Sequence, residues 1–422
     1  MPNASPTAAS RRLVIAGVGL VSPLGFGVWA TFRNLLDGRS IADRAPGIEP
    51  GTDPVALIRG VGGVAVARQA RDDPAAELVE RAAREACAQA RVDIEGMPTR
   101  MGTSKGAVAA MTEAFTDRRR AGAAAVGTAL GPQGYLSHRL SVRTGCRVEG
   151  HHVGACASSL IALDAAAREL KGHQQDARAT NETTRSAGEC RLVVTAEAAL
   201  LPVFVHSYKR LGVLAEPTPT GYRQAPLDAS RKGFMLAELG AAAMLRALPA
   251  GEAPAPGDME LIDTAIAGEA YDMVRPSPTM DAISFVADRL LHAPGTPERG
   301  IDLLHPHAPG TPDHDPVELR ALADVFNASR EMTCEYAPID TYASKGALGH
   351  GLGAAGLVSL VLACLCAQTR RRPPMPWLTE PMTPSPLPLQ REAQTLPADS
   401  THAVFAAGFG GSTAGALLRR HA

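Results

Sequence analysis

The segment "HHVGACASSLIAL", residues 151–163, places a cysteine among small residues, between a strand-like run and a helix-like run. Gly154 and Ala155 precede Cys156, and an alanine and two serines follow it. If a helix begins at Cys156, unpaired backbone N–H groups and the positive end of the helix dipole face the sulfur. That environment lowers a thiol pKa and favours a nucleophilic thiolate. Taken alone, these residues also fit a small buried cysteine without a chemical role.

A second candidate is the histidine-rich segment "HPHAPGTPDHDPVE", residues 305–318, which follows a strand-like run. Imidazoles and carboxylates this close together could form a metal site. The prolines of the segment impose a winding loop, however, and the spacing fits no usual set of metal ligands. A solvated loop is the alternative, and we predict no metal site.

Two glycine-rich segments near the C-terminus complete the set of candidates. In "SKGALGHGLGAAG", residues 344–356, Lys345 and His350 precede a helix-like run whose small residues permit tight packing. In "GFGGS", residues 408–412, an aromatic residue lies on a turn between two strand-like runs. Glycines there indicate unusual dihedral angles or a close approach of the backbone to a ligand. Neither segment assigns a function by itself.

The elements that must position these residues alternate along the chain, which predicts an α/β protein. Strand-like runs include "RLVIAGVGLV", "RVEGHHVGA", "CRLVVTAEA", "ELIDTAIAG" and "HAVFAAGFG". Helix-like segments include "AAELVERAAREACAQA", "CASSLIALDAAARELKG" and "GLGAAGLVSLVLACLCA". The proline-rich run "RRRPPMPWLTEPMTPSPLPLQ" predicts an extended surface connection. The turn-rich stretch 248–258 predicts a division into two halves, residues 1–255 and 256–422.

Composition and charge limit the classes of partner and compartment. The 422 residues carry a formal net charge of −1, which offers no bulk attraction to nucleic acid or to an anionic membrane. The 7 cysteines are scattered and form no CxxC pair, which argues against a disulfide scaffold and for a reducing compartment. We interpret "SRRLVIAGVGLVSPLGF" as a first strand rather than an export signal, and expect a cytoplasmic protein without membrane insertion.

Taken in order, the segments resemble the β-ketoacyl-acyl carrier protein synthases of the thiolase-like superfamily, nearly end to end. "GVGLVSPLG" with "LLDGRS" resembles the opening strand and helix of that family, and "GACASSLIAL" resembles its nucleophile segment. "PLDASRKGFMLAE" resembles "PFDxxRDGFVxGE", and "HAPGTPDHDPVE" resembles "HGTGTPLGDPIE". "SKGALGH" resembles "TKSxxGH", and "GFGGS" resembles "GFGGT". The resemblance implies a thiolase-like fold of two pseudo-duplicated α/β halves in a five-layer αβαβα arrangement.

Position by position, the resemblance implies that Cys156 is the nucleophile and that His307 and His350 are the two active-site histidines. Lys345 lies five residues before His350, which is the spacing of the family. Glu318 falls where the family has a glutamate paired with that lysine. The use of two histidines, rather than one histidine and one asparagine, indicates the decarboxylating branch of the superfamily.

The resemblance also implies the residues that surround the reacting groups. Phe409 takes the place of a gating aromatic residue, and its backbone N–H would form the oxyanion hole together with that of Cys156. The expected substrate-binding residues are Thr311, Ala407, Gly408 and Gly410. The chain departs from the family where Ala308 and Pro309 replace Gly-Thr and where Ala407 replaces an aromatic residue. These departures bear on the acyl pocket and on carrier recognition.

The implied activity is acyl transfer to Cys156, then decarboxylative Claisen condensation with a malonyl group on acyl carrier protein, in fatty acid or polyketide synthesis. The phosphopantetheine arm of the carrier delivers the substrates, and no bound cofactor is expected. A homodimer is implied, or a heterodimer with a paralogue. Two alternatives stay open: a non-catalytic partner subunit of a heterodimeric synthase, and a cysteine–histidine acyl hydrolase or transferase that does not condense.

Overall fold

The first half of the chain forms a five-stranded sheet flanked by helices. The computed structural model describes residues 11–41, 73–116, 121–172, 189–218, 221–222, 224–331, 338–383, 385 and 387–422. The elements of this half are β1 (Leu13–Ser22), β2 (Gly25–Phe26), α1 (Val28–Leu36), α2 (Pro74–Ala90), β3 (Pro98–Gly102), α3 (Val108–Thr116), α4 (Ala121–Thr144), β4 (Arg147–His152), α5 (Ser158–Gly172), β5 (Cys190–Glu197), α6 (Pro202–Arg210), β6 (Pro217–Thr218), β7 (Gly221–Tyr222) and β8 (Leu239–Ala247). The main strands lie in the order β4-β3-β5-β8-β1.

The second half repeats this arrangement. Its elements are β9 (Met259–Gly268), α7 (Asp281–Leu291), β10 (Leu303–His305), α8 (Asp315–Glu331), β11 (Asp340–Thr341), α9 (Lys345–Leu348), α10 (Ala355–Thr369), β12 (Arg371–Arg372), β13 (Gln394–Thr395), β14 (Thr401–Ala407) and β15 (Ser412–Arg420). Their spatial order is β11-β10-β14-β15-β9. Numbered along the chain within each half, both sheets therefore run 3-2-4-5-1, which confirms the predicted duplication.

The two sheets join through their first strands. Leu13 and Val14 of β1 pair antiparallel with Leu261 and Glu260 of β9, which makes one continuous sheet path. The Arg12 guanidinium donates to both carboxylate oxygens of Glu260, at 2.5 and 2.6 Å, and so closes the seam. β8 ends and β9 begins on either side of residues 248–258, and the division of the chain at residue 255 stays a prediction.

Helices between and outside the sheets give five layers. In the middle layer, α5 contacts strands of both halves, and α10 contacts β8 of the first half and β14 of the second. α2 covers the outer face of the first sheet, whereas α7 covers the outer face of the second, with α8 against it. The sequences agree with these positions, since α2 is amphipathic and α10 is apolar and buried on every side from 355 to 367.

The apolar α10 region also has the length of a membrane span. Among the described residues, Leu352–Thr369 is the single helical stretch with that length and composition, at a mean hydropathy of 1.9. Within the protein, 89% of it is buried, as expected for a core helix.

Candidate active site

Cys156 lies in a tight turn between the edge strand β4 and helix α5. A 3-10 turn spans Ala155–Ala157, and α5 begins at Ser158, so the helix starts two residues later than predicted. Ala155 has a φ of +48°, a left-handed conformation that is strained for a residue with a side chain. The Ser158 hydroxyl donates to the Ala155 carbonyl oxygen at 2.6 Å and accepts the Gly154 N–H at 3.0 Å. This side chain therefore holds the strained turn.

The structure brings the predicted nucleophile and both predicted histidines together. The Cys156 Sγ lies 3.4 Å from the His350 Nε2, although the two residues are 194 positions apart in the chain. The His307 and His350 rings lie 5.2 Å apart between centroids, at an interplanar angle of 71°. One ligand-type atom from each of the three side chains lies within 4.8 Å of the other two. By geometry alone, this set could also hold a metal ion, and the absence of metal chemistry stays a prediction.

Burial changes the ionisation of all three side chains. Burial raises the pKa of the Cys156 thiol to about 12, and the nearby Lys345 ammonium opposes this in part. The expectation of a lowered thiol pKa is therefore wrong for the free protein, because desolvation outweighs the favourable charge. Burial, reinforced by Lys345, also lowers the pKa of His307 and of His350 well below the ordinary value. Both imidazoles are thus neutral, and each offers one donor and one acceptor nitrogen.

Lys345 and Glu318 both act on the backbone of the His307 segment. The Glu318 carboxylate accepts the His307 N–H at 2.6 Å and the Ala308 N–H at 2.7 Å. The Lys345 ammonium donates to the His307 carbonyl oxygen. Lys345 and Glu318, which the resemblance implied to be paired with each other, therefore both contact the backbone of His307 instead. Burial lowers the pKa of Lys345 to about 8, and the Glu318 charge opposes this.

The glycine-flanked turn after β14 packs against the cysteine turn. A Cβ on Gly408 would lie 2.6 Å from the Gly154 carbonyl oxygen and 3.0 Å from the Cys156 backbone nitrogen. Only a glycine fits at this distance. Phe409, the next residue, lines the same cavity, and its ring lies 6.3 Å from the Tyr208 ring between centroids.

The cysteine and both histidines open into a cavity of about 430 Å³. Its wall includes every residue predicted to bind substrate or to gate the site, namely Thr311, Ala407, Gly408, Phe409 and Gly410. Lys345 and Glu318 lie outside this lining and contact the backbone of His307. The cavity therefore joins the reacting groups to the predicted binding residues.

Several residues of the site were not predicted. Tyr208 and Phe234 line the cavity, and the Phe234 ring meets the His350 ring edge-on, at 4.7 Å between centroids. His314 also lines the cavity, with its Nδ1 3.4 Å from a Glu318 carboxylate oxygen. His314 belongs to the histidine-rich segment 305–318. The sequence did not show how close His314 lies to His307 and Glu318, because that distance depends on the path of the loop.

Comparison with protein families identifies the family to which this chain belongs. Residues 10–250 match the beta-ketoacyl synthase N-terminal domain, and residues 259–378 match the beta-ketoacyl synthase C-terminal domain. The chain belongs to the beta-ketoacyl synthase family. Its thiolase-like fold agrees with that of a chain in a solved complex between a type II PKS acyl-carrier protein and its ketosynthase. The TM-score is 0.75 and the identity 20%, over 98% of this chain and 100% of that one.

Curated proteins named 3-oxoacyl-[acyl-carrier-protein] synthase 2 match this chain at about 25% identity. The 3-oxoacyl-[acyl-carrier-protein] synthase 2 of Mycobacterium leprae is 24% identical over 67% of this chain, and the match spans only 64% of that protein. The protein of the same name from Rhizobium meliloti is 25% identical over 97% of this chain and 99% of that one.

Proposed function

We propose that this chain is a condensing enzyme that transfers an acyl group to Cys156 and extends it by decarboxylative condensation. The extender is a malonyl thioester carried by an acyl carrier protein, in fatty acid or polyketide synthesis. The observation that carries the proposal is the convergence of one thiol and two neutral imidazoles on one wall of a cavity.

The first step is acyl transfer. The Cys156 sulfur attacks the carbonyl carbon of the acyl thioester, and its proton passes through the His350 Nε2, 3.4 Å away, to the departing carrier thiolate. The backbone N–H groups of Cys156 and Phe409 stabilise the negative oxygen of the tetrahedral intermediate. The close packing of Gly408 on the Cys156 nitrogen supports this role for the adjacent N–H groups. No proton is gained or lost in this step.

The second step is condensation. The bond between the malonyl carboxylate and its α-carbon breaks, carbon dioxide leaves, and the electron pair forms an enolate. Neutral His307 and His350 donate N–H to the enolate oxygen as its charge develops. The enolate carbon attacks the acyl group on Cys156, the carbon–sulfur bond breaks, and the sulfur leaves as a thiolate. Glu318 and Lys345 fix the backbone of His307, so that its donor keeps its direction.

The cavity wall fits a substrate on a phosphopantetheine arm. Arg210 and Arg275 line the cavity and offer positive charge to the phosphate of the arm. Thr311 offers a hydroxyl for its amides, while Pro309 takes the place of a second one. Ala407 leaves space where the family motif has an aromatic residue, so we propose a wide acyl pocket. The arm belongs to the substrate, and no further cofactor is proposed.

For its assembly, we propose a homodimer formed through β4. β4 is the edge strand of the first sheet and pairs only with β3 among the described strands. Val153, just beyond this strand, is 59% exposed, and Val142 on the preceding helix is 62% exposed. An unpaired edge beside exposed apolar side chains is a ready surface for a second copy. We further propose that the enzyme works in the cytoplasm.

Intact-mass measurement after incubation with an acyl-carrier thioester tests the proposal. We expect the mass of one acyl group on the wild-type chain and on Cys146→Ala, and none on Cys156→Ala. Addition of malonyl-carrier protein should then release carbon dioxide and a β-ketoacyl product. Absence of acylation would favour the partner subunit, and release of free acid without carbon dioxide would favour the acyl hydrolase.

A further inference from the structure

His314 is a third imidazole at the cavity wall, where the motif "HGTGTPLGDPIE" of the family has a glycine. Its side chain is 13% exposed, whereas His307 and His350 are 3% and 1% exposed as residues. His314 lies just before helix α8, and its Nδ1 is 3.4 Å from the Glu318 carboxylate. It is therefore the histidine of this group that reaches solvent.

The three imidazoles form a row that ends at the nucleophile. The His314 and His307 rings lie 5.1 Å apart between centroids, and the His307 and His350 rings 5.2 Å apart. The His350 Nε2 then lies 3.4 Å from the Cys156 Sγ. Within the described residues, the Nδ1 atom of each ring is buried and has no hydrogen-bond partner. Each ring thus keeps a nitrogen outside any hydrogen bond that can accept or donate a proton, and that of His314 lies 3.4 Å from the Glu318 carboxylate.

The proposed reaction needs such a path. Acyl transfer consumes no proton, but decarboxylation releases carbon dioxide and leaves Cys156 as a thiolate, so each turnover takes one proton from solvent. Cys156 is 8% exposed, and burial makes its thiolate a strong base. A proton from solvent must reach this largely buried sulfur before the next acyl group binds.

We propose that His314, His307 and His350 form a proton path from the cavity to the Cys156 sulfur, with His314 as its entry. This proposal rests on the proposed function. His314 takes a proton from solvent at the cavity, beside the Glu318 carboxylate. Each ring accepts a proton at one nitrogen and releases one at the other, directly or through one water molecule. The Cys156 thiolate accepts the last proton, and the row returns to its neutral state.

Charged groups on several elements surround this entry. Asp313, Asp315 and Glu318 lie on its own segment. Lys345 lies behind the lining, next to His307 and His350. Other titratable or charged residues of the cavity lining are Arg210, Arg275, Glu269 and Asp272. Glu318 is the carboxylate that the structure pairs with His314 at ion-pair distance. The other carboxylate of the segment, Asp315, accepts the Gly310 and Leu227 N–H groups, both at 2.9 Å.

The test compares His314→Gln with His292→Gln. His292 forms the same i,i+4 type of pair with Asp288, at 3.2 Å, but lies 70% exposed on the outer layer. Acylation of Cys156 is measured by intact mass, and condensation by steady-state turnover across pH. For His314→Gln we expect unchanged acylation, turnover lower by about 10²-fold, an altered pH profile, and partial rescue by added imidazole. His292→Gln should match the wild type. If His314→Gln folds poorly, His314→Gly should give the same pattern.

Three outcomes would overturn the proton path. Equal turnover and an equal pH profile for wild type and His314→Gln would refute it while the proposed function stands. A parallel loss of acylation and condensation without imidazole rescue would assign His314 a structural role. Failure of the wild-type chain to condense at all would remove the proposed function and the proton path with it.

Discussion

Glu318 and Lys345 hold one residue, His307, by the two ends of its backbone. The carboxylate accepts the N–H of His307 and that of Ala308, and the ammonium donates to the His307 carbonyl oxygen. Both charged groups are buried, at 0% and 4% exposure. Two charged groups outside the cavity lining thus fix the backbone that carries the His307 imidazole.

Replacing Glu318 by alanine should destabilise the protein and misplace His307. The change leaves two buried N–H groups without an acceptor, at a cost of about 1 to 3 kcal/mol each. Glu318→Gln keeps one acceptor oxygen and should lose less. Denaturant unfolding measures the free energy, with Glu252→Ala, an exposed site, as the control. A Glu318→Ala variant as stable as the control would contradict this assignment.

Alkylation of Cys156 by iodoacetamide should speed up steadily with pH. Because burial raises the pKa of this thiol to about 12, the thiolate fraction should grow roughly tenfold per pH unit over the range from about pH 7 to 9. The rate is followed by intact mass, and Cys156→Ala supplies the background from the other cysteines. A rate that levels off in this range would show that the thiol ionises much more readily.

Gly408→Ala should block acylation without unfolding the chain. The added Cβ would lie 2.6 Å from the Gly154 carbonyl oxygen and 3.0 Å from the Cys156 nitrogen, so the two proposed oxyanion donors must move apart. Loss of one such donor lowers the rate by about 10²- to 10³-fold. Gly268→Ala is the matched control, since nothing lies within 4 Å of its Cβ. Acylation rates and thermal unfolding are measured side by side, and an unimpaired Gly408→Ala would rule out this close packing.

Stability should fall as pH drops below about 6.5, the ordinary histidine pKa. Among the residues that the structure describes, the buried histidines are His305, His307, His350 and His402. Burial lowers the pKa of each, that of His402 to about 3, so in this range the unfolded chain binds protons that the folded chain does not. Each histidine contributes a slope of up to about 1.4 kcal/mol per pH unit. Asp315 opposes one of them, because burial raises its pKa to about 6.

Histidine variants measure how much one buried histidine contributes to the pH dependence of the unfolding free energy. His402→Leu should flatten it by about one histidine, or roughly 1.4 kcal/mol per pH unit, when unfolding free energies are compared between about pH 7 and pH 5. His206→Leu, on the exposed face of α6, should leave the slope unchanged. Identical slopes for the wild type and His402→Leu would mean that His402 is not held neutral.

The sequence predicted much of the fold, because the signals are local. The apolar run of β1, the amphipathic α2 and the apolar α10 lie where periodicity predicts them. The described residues of the proline-rich stretch after α10 are mostly irregular, apart from the short pair β12 and β13. β3, α3 and α4 were not predicted, and α4 contains a non-helical break at Gly131 that interrupts its periodicity. The duplication is visible only as a shared strand order, since topology survives where sequence identity does not.

The sequence by itself determined which residues are candidates for the chemistry, because its motifs at Cys156, His307 and His350 resemble those of the family. Only the tertiary structure decided how close these residues lie to one another and how burial changes their pKa values. Long-range packing brings the thiol to His350 across 194 positions, and burial then raises the pKa of that thiol. The same packing directs Lys345 and Glu318 to the backbone of His307 rather than to each other. It also places His314 beside Glu318. The desolvation of a buried group and its distance from other side chains depend on all the layers that enclose it. A local stretch of sequence therefore cannot predict them.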